Sequence, residues 1–147
     1  MTKLEEIEKR LTLLEDLEEI KKLQQRYMLY LDNLQFDKVV DLFSENATAE
    51  IRSYGIHKGK KEITELYAAM SAKRKDLKEG HMVIQPDITI EGNKAFASWT
   101  VFILFSKPSV QWLQGCNECE YVRENGRWKF QKLKFARINA SKEDMYP

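Results

Sequence analysis

Two histidines, His57 and His81, are the whole imidazole complement of the 147 residues, so a base that titrates near neutral pH rests on one of them. His57 sits among Gly55, Lys58, Gly59, Lys60 and Lys61, which reads as a solvent turn and makes it a bystander. His81 follows Lys78, Glu79 and Gly80 and opens the apolar run Met82-Val83-Ile84, where a polar loop enters a sheet. An imidazole there can act as a general base, or can simply be satisfied by a backbone carbonyl at a strand start. Asp32 closes a helical stripe, against the negative end of the helix dipole. Either it caps the next helix with Gln35 as a D-x-x-Q box, or it reaches into a cavity and orients an imidazole. Tyr27 shares a buried stripe with Ile20, Leu23 and Leu31, and its hydroxyl must find a partner or a pocket. Arg137 shares strand parity with Leu133 and Phe135. A bulge turns it outward, or it lines a cavity that holds an anion.

These residues stand in a near-neutral chain, with 24 Lys plus Arg against 23 Asp plus Glu. That balance gives no support to nucleic-acid binding or an electrostatically held membrane role. The basic clusters Lys58, Lys60, Lys61 and Lys73, Arg74, Lys75, Lys78 are interrupted by Glu62, Glu65, Asp76 and Glu79, and read as a solvated face. No apolar run approaches the roughly 18 residues of a membrane span, and the first residues are too charged for a signal peptide, so a cytoplasmic location is expected. Cys116 and Cys119 lie three apart in a strand-like run, on opposite faces, which argues for two free thiols and against a metal pair. There is no Walker loop, dinucleotide fingerprint, serine elbow or His-rich metal motif.

The elements that must position the candidates follow from periodicity. Leu4, Ile7, Leu11 and Leu14 mark an amphipathic helical arm over residues 1–15, expected to pack on the domain or on a neighbouring subunit. From Leu17 the stripe shifts to Ile20, Leu23, Tyr27 and Leu31, and Val39, Val40, Leu42 and Phe43 make a short helix. A strand over Ala47 to Tyr54 precedes a helix from Lys60 to about Lys75. Five β-rich runs come next: Met82–Ile84, Ile88–Ile90, Ala95–Phe105, Gln111–Arg123 and Arg127–Ile138, with Asn125-Gly126 the clearest hairpin signal. Helices first and a long meander afterwards predict an α+β fold with helices on one face of a curved sheet.

The segments Gln25 to Phe43, Gly59-Lys60-Lys61-Glu62-Ile63 and Tyr121 to Phe130 resemble the SnoaL-like branch of the NTF2-like superfamily over nearly the whole chain. Within that branch the sequence is most similar to the bile acid 7α-dehydratases, and more distantly to scytalone dehydratase and hexachlorocyclohexane dehydrochlorinase. The resemblance implies a single cone-shaped, cystatin-like domain over residues 1–147, a curved antiparallel sheet wrapped by helices around an apolar pocket, and a trimer, with a dimer second. It implies Tyr27, Asp32 and His81 as catalytic residues, since Tyr stands five before Asp and His81 precedes Pro86-Asp87-Ile88-Thr89-Ile90. Tyr54, Trp99 and Arg137 are expected to contact substrate. No cofactor and no metal are expected. Phe105 stands nearest the second histidine of scytalone dehydratase, so a mechanism with two imidazoles is not expected here.

The expected activity is a cofactor-independent elimination from an apolar polycyclic or steroid-like small molecule, with loss of activity on the acid side if His81 must be neutral. The alternatives are isomerisation of a ketosteroid-like substrate by proton shuttling, and a non-catalytic binding or assembly module. Ala95–Phe105 is apolar on both parities, so a partner subunit is expected to cover its outer face.

Overall fold

The computed structural model describes residues 1–74 and 78–142. Thr2 starts the first helix, α1 (Lys3–Asp32), through a capping box: its hydroxyl accepts from the Glu5 N–H while the Glu5 carboxylate accepts from its own. A short helix α2 (Phe36–Asp41) leads into β1 (Phe43–Ile51), a single turn of tight helix (Arg52–Tyr54) and β2 (Ile56–Lys58). Helix α3 (Gly59–Arg74) is followed by four strands, β3 (Lys78–Glu91), β4 (Lys94–Lys107), β5 (Gln111–Glu124) and β6 (Arg127–Ala140). The sheet runs β2-β1-β6-β5-β4-β3, antiparallel throughout except for the β1–β6 pair. Asn125 and Gly126 both take left-handed backbone, the geometry a two-residue hairpin between twisted strands demands. The α+β class with helices on one side of a long meander is as expected.

Alternation along β4 decides which face is core. Ala95, Ala97, Trp99, Val101, Ile103 and Phe105 are buried, while Phe96 and Leu104 point outward and are 40% and 50% exposed. Helix α1 crosses this concave face in one uninterrupted piece, but only its second half touches it. Ile20, Leu23, Tyr27, Met28 and Leu31 are buried, whereas Leu4, Ile7, Leu11 and Leu14 are all more than half exposed. The arm therefore does not pack on its own domain.

Several boundaries differ from the sequence expectation. Met82–Ile84 and Ile88–Ile90 belong to one strand, β3, because an edge strand absorbs Pro86 with a bulge: Ile84 pairs with Thr100 and Asp87 with Ser98, while Gln85 turns left-handed. Phe43 opens β1 instead of ending a helix, and the strand stops at Ile51 because Arg52 turns left-handed into the tight helix before Tyr54. His57 is not in a solvent turn: it lies half-buried in β2 opposite Ala49. The expectation that α3 runs to Lys75, and the cluster members Lys75 and Asp76, fall outside the described residues.

Candidate active site

Asp32 ends α1 and His81 lies in β3, across the one seam where the long helix meets the sheet edge. The Asp32 carboxylate accepts from the His81 backbone N–H at 3.1 and 3.2 Å, and its Oδ1 lies 2.6 Å from His81 Nδ1. A carboxylate has no proton to give, so Nδ1–H is the donor and Nε2 keeps the lone pair. The imidazole is 3% exposed and Asp32 25% exposed, so the pair is reached from the protein interior more than from solvent. Asp32 does not cap α2. That helix begins at Gln35 without a side-chain cap, and Asn33 closes α1 through its own side chain on the Leu29 carbonyl.

His81 lies on the wall of a narrow cavity of about 20 Å³, on the order of one water molecule. The wall is built from α1 (Tyr27, Met28, Leu31), α3 (Met70, Arg74) and the concave sheet face. Tyr27 is there because its stripe faces the sheet. Its hydroxyl meets that of Tyr67 at 2.7 Å, in full burial. Burial pushes the Tyr27 hydroxyl up to about 12, with Tyr67 opposing part of the shift by its hydrogen bond, and Tyr67 itself is raised well above the ordinary tyrosine range, again chiefly by burial. Both are neutral donors at physiological pH.

The three expected substrate contacts fare differently. Trp99 does not reach this cavity. It borders a larger groove of about 550 Å³ between α1 and β3, which also includes His81, Met28 and Val83. Its indole N–H donates to Tyr121, whose hydroxyl donates in turn to Gln24 on α1. Tyr54 is half-buried, with Lys73 Nζ 5.0 Å from its ring, and does not line the cavity; the left-handed turn at Arg52 breaks strand alternation and brings Arg52 to the wall instead. Arg137 is half-buried opposite Gly115 and is not on the wall either. A Cβ on Gly115 would stand 2.4 Å from the Phe135 ring, so it is Phe135 that lies across this part of the sheet and lines the cavity, with Arg52 5.3 Å above it.

Sequence reasoning missed Arg74 and Asn117. Arg74 was grouped with a solvated cluster, yet it is buried at the end of α3, its Nε 3.1 Å from a Glu79 carboxylate that is equally buried. Asn117 is 1% exposed on the inward parity of β5. The signal for Arg74 was its spacing: Ile63, Tyr67, Met70 and Arg74 lie on one helical face. Cys119 faces the core and Cys116 the other side of β5, both free; burial raises the Cys119 thiol to about 12, so it is inert. Among the described residues no three His, Cys, Asp or Glu side chains converge as a metal site, and no helix is long and apolar enough to cross a membrane.

Residues 12–134 match the family model of the SnoaL-like domain. No curated protein matches the chain in sequence. Among solved structures, an NTF2-like protein with a cystatin-like fold from Novosphingobium aromaticivorans superposes with a TM-score of 0.79 at 22% identity, covering 97% of this chain and 94% of that one. Hexachlorocyclohexane dehydrochlorinase LinA-type3 from Novosphingobium barchaimii gives 0.79 at 17%, covering 94% and 97%. A scytalone dehydratase-like protein from Novosphingobium aromaticivorans gives 0.78 at 16%, covering 88% and 89%. At these identities the likeness is one of fold.

Proposed function

The chain belongs to the SnoaL-like domain family of the NTF2-like superfamily, and we propose that it is a cofactor-independent lyase of dehydratase type. The observation that carries this reading is the 2.6 Å contact between Asp32 Oδ1 and His81 Nδ1 at a cavity wall shared with Tyr27. Elimination needs a base for a carbon-bound proton and a donor for the departing oxygen. His81 Nε2 takes the proton, Asp32 holds the ring and offsets the imidazolium charge, and Tyr27 donates a hydrogen bond to the leaving hydroxyl; as the carbon–oxygen bond breaks, the proton held on His81 passes to the departing oxygen, so that water leaves and the neutral base is restored. The raised Tyr27 hydroxyl is a weak acid, so it stabilises the leaving oxygen without surrendering its own proton early. Solved structures of this fold named for a dehydrochlorinase and a scytalone dehydratase support the reaction class by analogy.

The substrate in this reading is an apolar polycyclic or steroid-like molecule, of the kind handled by bile acid 7α-dehydratases. A cavity of about 20 Å³ cannot enclose it, so its body lies in the neighbouring groove of about 550 Å³, within the ~300–1,000 Å³ range of ligand sites, with the reacting carbon at His81, which borders both. We also propose a homotrimer, with a dimer second. The outward Phe96, Leu104 and Trp112, all more than a third exposed, support a partner on that face, and light scattering at micromolar concentration showing a monomer would contradict it. Mass spectrometry of a sterol and polyketide panel incubated with the protein tests the reaction. Loss of a water or halide mass supports elimination. An unchanged mass with a shifted double bond indicates isomerisation, and binding without turnover of any panel member indicates a ligand-binding module.

A further inference from the structure

Among the described residues, the cavity wall carries two guanidinium groups and an imidazole but no carboxylate. Arg52, Arg74 and His81 line it, while the carboxylates that belong with two of them, Glu79 for Arg74 and Asp32 for His81, stand behind the wall. Arg74 spends its Nε on Glu79, 3.1 Å away, and its side chain is only 7% exposed. Its Nη1 is buried and has no hydrogen-bond partner among the described residues. Asn117 lines the same cavity at 1% exposure, and neither its Nδ2 nor its Oδ1 has a hydrogen-bond partner among the described residues. Buried polar atoms left without partners are destabilising, and three of them on one small wall are hard to account for as packing. What they share is the ability to bind a ligand oxygen: a guanidinium and an amide donate to a carboxylate, and the guanidinium also matches its charge.

We propose that Arg74 and Asn117 form an anion subsite that takes a carboxylate of the ligand, with one oxygen accepting from Arg74 Nη1 and the other from Asn117 Nδ2. The position suits this. The cavity of about 20 Å³ is too small for a ring but of the size of a small polar group, and the apolar groove that meets it at His81 and Met28 receives the rest of the molecule. Glu79 is a positioning residue: it pairs with Nε at 3.1 Å and leaves Nη1 for the ligand. The anion-holding cation thus comes from the end of α3 and not from the last strand.

This inference deepens the lyase reading by naming a feature of its substrate, but its test does not need turnover. Cyclohexanecarboxylate and its uncharged isostere cyclohexanecarboxamide are titrated into the full chain by calorimetry, with the Asn117 side-chain amide followed by NMR. The carboxylate is expected to bind at least tenfold more tightly than the amide and to shift the Asn117 amide resonances. Arg74→Gln alone leaves Glu79 buried without its partner, so the variant to use is the double Arg74→Gln/Glu79→Gln, in which neither charge remains. It should lose the preference, as should Asn117→Leu in part, by about fivefold. Lys61→Gln/Glu62→Gln, an exposed pair of changes that likewise leaves net charge unaltered, should keep it. Equal binding of the two probes, no binding of either, or an undiminished preference in the double variant would overturn the subsite. Failure of every panel compound to react, with carboxylate binding intact, would overturn the lyase reading and leave the subsite standing.

Discussion

Helix α1 carries three carboxylates that reach across to nitrogens on the sheet, Asp16 and Glu19 near its middle and Asp32 at its end, and their partners make them different devices. Asp16 accepts from Arg123 Nη2 at 2.6 Å and from the Trp128 indole at 3.1 Å, while Glu19 accepts from the Trp128 backbone N–H. Asp32 accepts from His81. The Asp16 partners have no lone pair to offer, so the middle of the helix is a clamp that fixes α1 on the β5–β6 hairpin. The Asp32 partner keeps a basic nitrogen on a cavity wall. The same side-chain geometry is structural where the partner nitrogens can only donate and chemical where one of them keeps a lone pair.

The comparison breaks first at His81. His81→Gln should lower turnover of any substrate found by about 10³-fold or more with an unchanged circular dichroism spectrum, as removal of a general base does. Asp32→Asn should cost roughly 10²-fold, the lower end of that range, because the ring stays in place while its orientation and charge support weaken. Asp16→Asn should act in the opposite register, leaving turnover within about threefold but removing about 2 kcal/mol of stability as a charge-assisted bond is lost. That is roughly a 4–8 °C fall in Tm by calorimetry for a chain of this size. Tyr27→Phe is expected to reduce turnover about tenfold, the worth of one hydrogen bond to the leaving group.

A separate effect, confined to high pH, sharpens the account on the alkaline side. Tyr27 is raised from 10 to about 12, so the folded state holds this proton more tightly than the unfolded chain does. Its contribution is complete below pH 10 and is lost as pH rises towards 12, amounting to about 3 kcal/mol across that window. Denaturant unfolding at stepped pH should show stability falling above 10, and Tyr27→Phe should flatten that fall.

Legibility in the sequence followed the range of the forces involved. The stripe Ile20, Leu23, Tyr27, Leu31 and the alternation of Ala95 to Phe105 are local patterns, and burial follows them residue by residue. The Asn125-Gly126 hairpin was legible for the same reason. The bulge at Gln85 was not, because a proline in a run marks either a strand end or an edge bulge, and only the neighbouring strand decides. At the site, Asp32 and His81 were candidates from their positions alone, but whether Asp32 capped a helix or held a histidine depended on the crossing of α1 over β3, which no local spacing encodes. Arg74 was misread because its charged neighbours Lys73 and Glu79 suggested solvent, while its burial depends on α3 meeting the cavity. Tyr54 and Arg137 were misplaced by a left-handed residue and by a phenylalanine lying over Gly115.

The central claim is that His81, held by Asp32, removes a carbon-bound proton while the Asp16 clamp at the middle of the same helix does no chemistry. A turned-over panel compound deuterated at the reacting carbon tests this most directly, by following release of deuterium to water with wild-type protein, His81→Gln and Asp16→Asn. The account predicts release by wild type and Asp16→Asn at comparable rates and none above background by His81→Gln. Equal release by His81→Gln in a folded protein would contradict it.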